Sequence, residues 1–373
     1  MDLSKAFDCL PHNLLLSKLH AYGLQQNSCL LIKSYLQNRL QRVKIGSHKS
    51  DWALLKAGVP QGSVLGPLLF NIFINDLFYQ LKSHCTLHNY ADDNTLCYSN
   101  SNVDTLKNEL MRCTDIAVTW FDNNCMKANP EKFKCMFIGK KCELKDIAFN
   151  IGGNNISSEC FVKLLGVHLD NDLNFDKHVS TLCLRAARQV RALGRIAKYL
   201  DLKGRIDVYN AFISSNFRYC DIIWHFCSAK STYNIEKLNK RALRVTLNDF
   251  ISCYSTLLDK MQSTPLFTQR IRSIACEVFK SLHKLNPKFM HDIFRTSAHD
   301  YNTRDRSKCV LPIVSTQMFG INSFSFQGAK IWNSIPAGTK ASGSVYEFKD
   351  KLLEWKGPMC SCGTCIQCKI KLL

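Results

Sequence analysis

The chain has 373 residues, of which 46% are hydrophobic, a fraction typical of folded proteins. A chain of this length can bury a substantial core and form two or three compact units. Lysine and arginine total 49 against 30 aspartate and glutamate, giving a formal net charge of +19 that favours a polyanionic partner. Residues 1–170 carry 18 basic and 15 acidic side chains, whereas residues 171–373 carry 31 and 15, so most of the excess charge lies in the second part.

Cysteine usage and hydropathy argue against a secreted or membrane protein. The 19 cysteines are an odd number, and no charged region followed by an apolar core precedes the first motif, so we expect reduced thiols in an intracellular protein. The longest apolar stretch, near residues 68–77, is interrupted by Asn71, Asn75 and Asp76. It falls short of the roughly 20 apolar residues needed to span a bilayer. A basic amphipathic surface would still be compatible with anionic lipid.

The predicted elements of the first 170 residues mix helices with short strands. Hydrophobic periodicity and turn residues place them in this order: helices near 14–22 and 30–36, strands near 42–45 and 52–55, a helix from 65 to about 77, a hairpin of 86–90 and 95–98, a helix near 103–121, and strands near 133–138, 147–151 and 162–169. This order predicts an α+β fold in which an antiparallel sheet packs on helices.

Two acidic sites have the residue types that a magnesium centre needs. Asp92 and Asp93 follow Tyr90-Ala91 at the predicted tip of a tight hairpin, and Asp2 opens a segment that leads into a helix ended by Gly23. Mg²⁺ prefers oxygen ligands and usually takes one or two carboxylates together with substrate phosphates. The alternative is that Asp92-Asp93 is an ordinary turn, because short motifs often match by chance.

A third segment, residues 58–70, has glycines and a proline directly before an apolar helix. Glycine lets the backbone approach a ligand closely, and a helix start favours anionic groups. Pro60, Gln61 and Gly62 are the candidate contacts in this loop. The alternatives are an ordinary loop that enters a buried helix, with Gln61 serving as the cap of that helix.

In this order, the motif around Asp2, the loop and helix at 58–70 and the Tyr90–Asp93 hairpin resemble the reverse transcriptases of jockey-like non-LTR retrotransposons. Residues 129–132 look like the next motif, and residues 161–167 resemble the hairpin that grips the primer end. The resemblance implies a right-hand polymerase palm at 1–170, a helical thumb at 171–250 and a C-terminal extension at 251–373. It also implies nucleotidyl transfer onto a primer 3′-hydroxyl, directed by an RNA template.

The resemblance implies a role for each matched residue. Asp2, Asp92 and Asp93 would hold two Mg²⁺ ions, with Mn²⁺ as an alternative metal. Phe7 would exclude ribonucleotides by contact with the incoming sugar, or it is a plain core residue. Lys132 would lie near the leaving pyrophosphate, with Lys134 as its competitor and a solvated turn as the other interpretation. The implied partners are an RNA template, a DNA primer and dNTPs, with no membrane; the cytoplasm and nucleus are the expected locations.

A basic helix is predicted after the palm. Between residues 175 and 200, apolar positions recur three and four apart and form one stripe, while four arginines fall on another face: Arg185, Arg188, Arg191 and Arg195. With Lys163, Leu165 and Gly166 of the primer hairpin, these arginines are the predicted contacts for the primer and duplex. The alternative is a solvated basic face. The oligomeric state is not predicted.

The remaining segment is less informative. Residues 201–300 are predicted to be mainly helical, and residues 301–304 and 324–336 resemble the tail that follows the thumb in such elements, with a strand-like and loop-like pattern. Four terminal cysteines could bind Zn²⁺, although their cramped spacing favours a flexible tail instead: Cys360, Cys362, Cys365 and Cys368.

The fingers, which precede the first motif in the family, have no counterpart in this sequence. We therefore expect weak or no polymerisation by this chain alone. The competing interpretations are a catalytically inactive nucleic-acid-binding remnant of the same fold and, against the ordered motifs, a basic interaction protein of other ancestry.

Overall fold

The computed structural model describes residues 1, 3–139, 148–151, 154–296, 308–355, 357–358 and 370. The chain divides into two compact units. The first comprises Met1–Phe137 and Lys141–Glu159, and the second comprises Ile138–Lys140 and Cys160–Leu373.

The described residues form helices and short antiparallel strand pairs. The helices are α1 (His12–Ala21), α2 (Gln26–Leu36), α3 (Leu65–Leu81), α4 (Val103–Asn123), α5 (Asp176–Ile196), α6 (Leu202–Val208), α7 (Ser215–Arg218), α8 (Asp221–Trp224), α9 (Ala229–Leu247), α10 (Tyr254–Lys260), α11 (Leu266–Leu282), α12 (Phe324–Asn333), α13 (Ala337–Lys340) and α14 (Val345–Glu354). The strands are β1 (Leu40–Gln41), β2 (Lys44–Ile45), β3 (His48–Lys49), β4 (Ala53–Leu54), β5 (Thr86–Tyr90), β6 (Asp93–Cys97), β7 (Ala148–Ile151), β8 (Asn154–Ser157), β9 (Phe161–Leu164) and β10 (Val167–Asp170).

The core of the first unit is built around α3, an unusually apolar helix. Phe70, Phe73 and Leu77 are fully buried on it and pack with Leu15 of α1 and Phe121 of α4. A helix that buries several faces needs apolar residues all round, which explains why this segment reads as a continuous apolar run. The predicted helices at 14–22, 65–77 and 103–121 are confirmed, and α3 extends four residues further than expected.

The predicted antiparallel sheet is present only as separate pairs. Among the described residues, each strand pairs with a single partner: β1 with β4, β2 with β3, β5 with β6, β7 with β8 and β9 with β10. The predicted strand at 133–138 is wrong, because Cys135 makes one isolated bridge to Ser158. Its alternating apolar residues, Phe133 and Phe137, instead pack with Phe149 of β7 in a small separate core.

The second unit is organised around α5 and α9. The predicted apolar stripe of α5 is confirmed, since Leu182, Ala186, Val190 and Leu193 are buried. They share one core with Ile235, Ala242 and Leu243 of α9. The period of the sequence therefore predicted which face of α5 points inward.

The predicted strand-like and loop-like character of residues 324–336 is wrong. The segment forms α12, whose first turn is capped by Ser323 Oγ accepting from the Phe326 amide. Trp332 is buried against Phe279 of α11 and Phe348 of α14. The alternating Phe324-Ser325-Phe326 suggested a strand, but the cap and the buried face select a helix. Residues 301–304 lie outside the described residues.

Within the described part of the chain, no helix is both long and apolar enough to cross a membrane.

Candidate active site and nucleic-acid surface

The predicted carboxylate hairpin is present, with a two-residue turn at its tip. Tyr90 pairs with Asp93, so Ala91 and Asp92 form the turn between β5 and β6. Ala91 has φ +52°, in the left-handed region where glycine is the usual residue. Local strain of this kind tends to persist where the surrounding structure fixes a functional conformation. The hairpin therefore places Asp92 in the turn and Asp93 at the first position of β6.

The two carboxylates are available as ligands. Neither the Asp92 nor the Asp93 side chain makes a hydrogen bond or ion pair with the described residues. The backbone beneath them is fixed, because the buried Asn94 side chain donates through Nδ2 to the Asp92 carbonyl oxygen at 2.9 Å. Two oxygen donors on a fixed turn match the coordination preference of Mg²⁺.

Asp2 lies outside the described residues, but both of its neighbours are located. Met1 and Asn94 exchange backbone hydrogen bonds of 2.6 and 3.2 Å, as a hydrogen-bonded antiparallel pair does. On the other side, Leu3 forms an antiparallel bridge with Ala128, and the Ser4 amide donates to the Lys127 carbonyl at 2.9 Å. Met1 thus pairs with β6, and Leu3 and Ser4 pair with residues 127–128.

The glycine-rich loop packs directly on the segment that follows Asp2. Gly58 has φ +87°, and a Cβ added to it would lie 2.7 Å from the Asp8 carbonyl oxygen. The Gly58 amide donates to the Leu10 carbonyl oxygen at 2.8 Å, and the Val59 amide donates to the Phe7 carbonyl oxygen at 2.9 Å. Glycine is required at position 58 both for its backbone conformation and for this close approach.

Gln61 extends this contact through its side chain. Its Nε2 donates to Asp8 Oδ1 at 2.9 Å. Gln61 does not cap α3, because the Gly66 amide at the helix start is satisfied by Ser63 Oγ at 3.0 Å. Ser63 Oγ in turn donates to the Pro60 carbonyl at 2.7 Å, and Gly62 adopts φ +80° with open space beside it. The loop is therefore braced by Ser63 and Asp8, and sequence analysis did not single out Ser63.

The roles predicted for Phe7 and Lys132 stay predictions. The half-buried Phe7 ring stacks on Phe70, with centroids 4.4 Å apart and an interplanar angle of 23°, which suits either a packed platform or a core residue. Lys132 is exposed at the end of a short helical turn, Pro130–Lys132. Its competitor Lys134 forms an ion pair, with Lys134 Nζ 3.0 Å from Glu159 Oε1.

The predicted primer hairpin is formed by β9 and β10. Its turn residues, Leu165 and Gly166, have φ +45° and +87°, as the tightest hairpin turns require. The Tyr219 hydroxyl donates to the Leu165 carbonyl at 2.5 Å, and a Cβ on Gly166 would lie 3.2 Å from the Tyr219 ring. Tyr219 therefore supports the tip of this hairpin, a role that no local sequence signal could reveal.

The predicted arginine face of α5 is exposed: Arg185, Arg188, Arg191 and Arg195. A second cationic stripe on α9 was missed by the sequence analysis: Lys237, Lys240, Arg241 and Arg244. Its spacing of three, one and three residues places all four on one face of a helix, which is the signal that could have identified it. These residues line a groove of about 680 Å³ with Leu184, Ala187 and Leu238, and no acidic side chain of the described part of the chain lines it.

The predicted metal sites are only partly covered by the described residues. No group of three histidine, cysteine, aspartate or glutamate side chains suited to a metal occurs within them. Asp2 and the four cysteines proposed as zinc ligands lie outside the described residues: Cys360, Cys362, Cys365 and Cys368. The zinc prediction therefore stays a prediction.

Comparison with known proteins supports the resemblance. The family described as reverse transcriptase (RNA-dependent DNA polymerase) matches residues 1–194. The probable RNA-directed DNA polymerase from transposon BS of Drosophila melanogaster is 30% identical over 65% of this chain and 28% of the relative. The RNA-directed DNA polymerase from mobile element jockey is 25% identical in D. melanogaster, over 65% of this chain and 27% of the relative, and 27% identical in D. funebris, over 74% and 29%.

The chain thus spans less than a third of the length of these relatives. The family match covers more than half of the chain and includes the motifs from Met1 to β10 and three of the four arginines on the exposed face of α5. The chain therefore belongs to the reverse transcriptase family, and its relatives are the RNA-directed DNA polymerases of jockey-like and other non-LTR retrotransposons.

Proposed function

We propose that this chain supplies the palm and thumb of an RNA-directed DNA polymerase, which joins a dNTP to a primer 3′-hydroxyl on an RNA template. We assign residues 1–170 to the palm with its primer hairpin, 171–250 to the thumb and 251–373 to an extension. The observation that supports the proposal is the backbone pairing of Met1 with Asn94, because it places Met1, the neighbour of Asp2 in sequence, beside the Asp92–Asp93 hairpin.

Asp2, Asp92 and Asp93 are the proposed ligands of two Mg²⁺ ions. The donor set fits, because the Asp92 and Asp93 carboxylates are hard oxygen donors with no competing partner among the described residues. Bound divalent metal would supply positive charge that activates the 3′-hydroxyl and offsets the charge on the leaving pyrophosphate. The protein contributes position: the Asn94 amide fixes the turn, and the β5–β6 ladder fixes the direction of both carboxylates.

The nucleotide would bind against the loop at 58–62. Asp8 orients the Gln61 side chain, and the Gly58 contact fixes the loop on the segment that carries Phe7. The Phe7 ring, supported by Phe70, would then limit space beside the sugar 2′ position. Lys132 would offset charge at the leaving group, since phosphoryl transfer depends on preorganised positive charge.

The template–primer duplex would bind along the thumb. Arg185, Arg188, Arg191 and Arg195 of α5 are exposed. The stripe on α9 adds four further cations, which line a groove with Leu184 and Ala187 of α5. Contacts of this kind hold the nucleic-acid backbone without reading sequence, and each releases counterions from the duplex. The excess charge of residues 171–373 is consistent with this role.

Primer extension on an RNA template, with the purified 373-residue chain in Mg²⁺ or Mn²⁺, tests the proposal. We expect extension that Asp92→Ala abolishes, whereas Asp104→Asn, which removes a charge from the exposed first turn of α4, leaves it unchanged. Mn²⁺ binding measured by electron paramagnetic resonance gives a second readout that does not need turnover.

Two outcomes would count against the proposal: one favours an inactive remnant, and the other excludes the proposed metal site. Duplex binding without Mn²⁺ binding or extension would support the nucleic-acid-binding remnant. Extension or Mn²⁺ binding that Asp92→Ala leaves unchanged would overturn the proposed metal site.

A further inference from the structure

A polar cavity of about 400 Å³ lies between the primer hairpin and α5 in the second unit. Its volume is within the range of small-ligand pockets. Among the described residues, no acidic side chain lines the cavity, and basic and neutral donors dominate: Lys163, His168, His178, Arg185, Asn216 and Tyr219. The primer-hairpin motif and the first arginine of α5, which sequence analysis identified separately, therefore meet in one cavity.

His178 is a buried donor without an acceptor. Its side chain is only 6% exposed, and its Nδ1 accepts a hydrogen bond from the His168 amide at 3.4 Å. A nitrogen that accepts carries no proton, so the neutral ring must carry its proton on Nε2. Nε2 has no hydrogen-bond partner among the described residues, and neither does His168 Nδ1. A buried N–H of this kind calls for an acceptor.

The charged side chains of the described residues that act on His178 and His168 are all basic. Lys163 of β9, His168 of β10, and Lys177 and Arg185 of α5 are the titratable groups that face the pair, and Trp224 of α8 adds an uncharged ring with its centroid 6.0 Å away.

The carboxylates nearest in sequence are engaged elsewhere. Asp170 accepts from the amides of Asn174 and Phe175, and Asp176 accepts from Ser228 and Ser231. Burial, and then the neighbouring positive charges, lower the pKa of His178 to about 4, and the pKa of His168 is lowered by the same causes.

We propose that this cavity binds one phosphate group, with His178 Nε2–H as donor and with Lys163 and Arg185 as the balancing charges. The site rests on the proposed function only for the source of that phosphate, which would be a phosphodiester of the bound strand. Free phosphate offers the same chemistry. An anion in the cavity favours the protonated form of His168, whose Nδ1 has no partner among the described residues, whereas Nδ1 of His178 already accepts from the His168 amide. Binding therefore takes up one proton and becomes tighter as the pH falls.

The test uses the full chain with histidine rings labelled for NMR, titrated separately with inorganic phosphate and with a primer–template duplex at pH 6 and pH 7.5. We expect the His168 and His178 resonances to shift with at least one of the two ligands. Affinity should be severalfold higher at pH 6, up to the tenfold per pH unit that uptake of one proton allows.

Arg185→Gln and Arg188→Gln form a matched pair of variants. Both remove one charge from an exposed position of α5, but only Arg185 lines the cavity. We expect Arg185→Gln to weaken phosphate-dependent shifts by about tenfold and Arg188→Gln to leave them unchanged, in line with the loss of one charge-assisted contact. Because Arg185 is exposed, its variant should fold, and the His178 spectrum without ligand verifies this.

Each outcome has one meaning. Shifts with inorganic phosphate alone support a site for the phosphate group itself, and shifts with duplex alone support a strand phosphodiester. Absence of shifts with both ligands, equal effects of the two arginine variants, or affinity independent of pH would overturn the proposal. Failure of the polymerase proposal would appear instead as loss of Mn²⁺ binding at Asp92, which this test does not use.

Discussion

The two units place their functional groups in different ways. In the first unit, the candidate catalytic groups are a few acids on strained or glycine-dependent turns, each fixed by one or two backbone contacts, such as Ala91 beneath Asp92 and Gly58 against Asp8. In the second unit, the candidate binding groups are many cations on the faces of α5 and α9, whose opposite faces form the core.

This difference reflects the demands of the two tasks. Holding a metal requires a small set of atoms at fixed positions, so each residue matters and the backbone must be specified closely. Holding a polyanion requires summed charge, so each cation contributes modestly and its exact position matters less. Substitutions in the first unit should therefore have large and separate effects, and those in the second unit small and additive ones.

The largest expected effect is at the carboxylate hairpin. Asp92→Asn keeps the size of the side chain but removes the charge that would bind metal, so primer extension should fall by roughly a thousandfold or more. Steady-state extension with saturating duplex measures this loss, and Mn²⁺ affinity should fall in parallel. A variant that extends primers at the normal rate would show that Asp92 is not a metal ligand.

The second prediction compares two glycines of the same loop. Gly58→Ala should destabilise the first unit by about 3 kcal/mol, because the new methyl group meets the Asp8 backbone while φ stays at +87°. Gly62→Ala also has a positive φ but meets nothing within 4 Å, and should cost only about 1 kcal/mol. Urea unfolding followed by tryptophan fluorescence measures both, and equal losses would show that the contact with Asp8 is unimportant.

The third prediction concerns His225, a half-buried histidine of the second unit whose pKa is lowered. Burial, and then the charge of Arg270, lower the pKa of His225 to about 3, and its ring packs against Phe226 and Phe267. Since the folded pKa lies below the unfolded value, the unfolded chain binds more protons between pH 6.5 and 3. The contribution of His225 to the free energy of unfolding should therefore be complete above that pH window and should fall as the pH decreases through it.

Comparison with His225→Asn isolates this contribution, since other groups titrate in the same range. Between pH 7 and 5, the wild-type chain should lose about 1–2 kcal/mol more of its unfolding free energy than the variant does. Parallel profiles would mean that His225 is not held neutral by its surroundings.

Sequence patterns predicted those parts of the molecule that depend on neighbouring residues. The stripe of α5 and the Asp92 hairpin follow from periodicity and turn chemistry, which act over a few residues. The contacts that complete the site do not: Gln61 meets Asp8, and Tyr219 meets Leu165, across more than 50 residues of chain. Such partners depend on the packing of whole elements, for which a single sequence has no local signal.

The errors have the same origin. Residues 324–326 alternate in polarity and residues 133–138 are mainly apolar, and both patterns suggest a strand, but the final structure depends on what each segment packs against. Phe133 and Phe137 pack into a small core, and their segment makes a single isolated bridge. Phe324 and Phe326 lie instead in a helix, because Ser323 caps it and Trp332 buries its far end.

The smallest expected effect tests the additive character of the second unit. Replacing Arg191 of α5 or Arg241 of α9 by glutamine should each lower the slope of log affinity against log salt by about one unit, and the double variant by about two. Fluorescence anisotropy of a labelled duplex between about 50 and 200 mM salt measures the slopes. Lys349→Gln, an equal loss of charge on α14, serves as the control.

Whether the slope changes of the Arg191 and Arg241 variants add decides if both helices contact the duplex. If both helices follow one backbone, their contributions sum, because contacts with separate phosphates are nearly independent. A normal slope for Arg241→Gln together with a reduced slope for Arg191→Gln would restrict the duplex to α5, leaving the stripe on α9 as a solvated face. A slope lowered equally by Lys349→Gln would show that net charge, rather than a defined surface, controls binding.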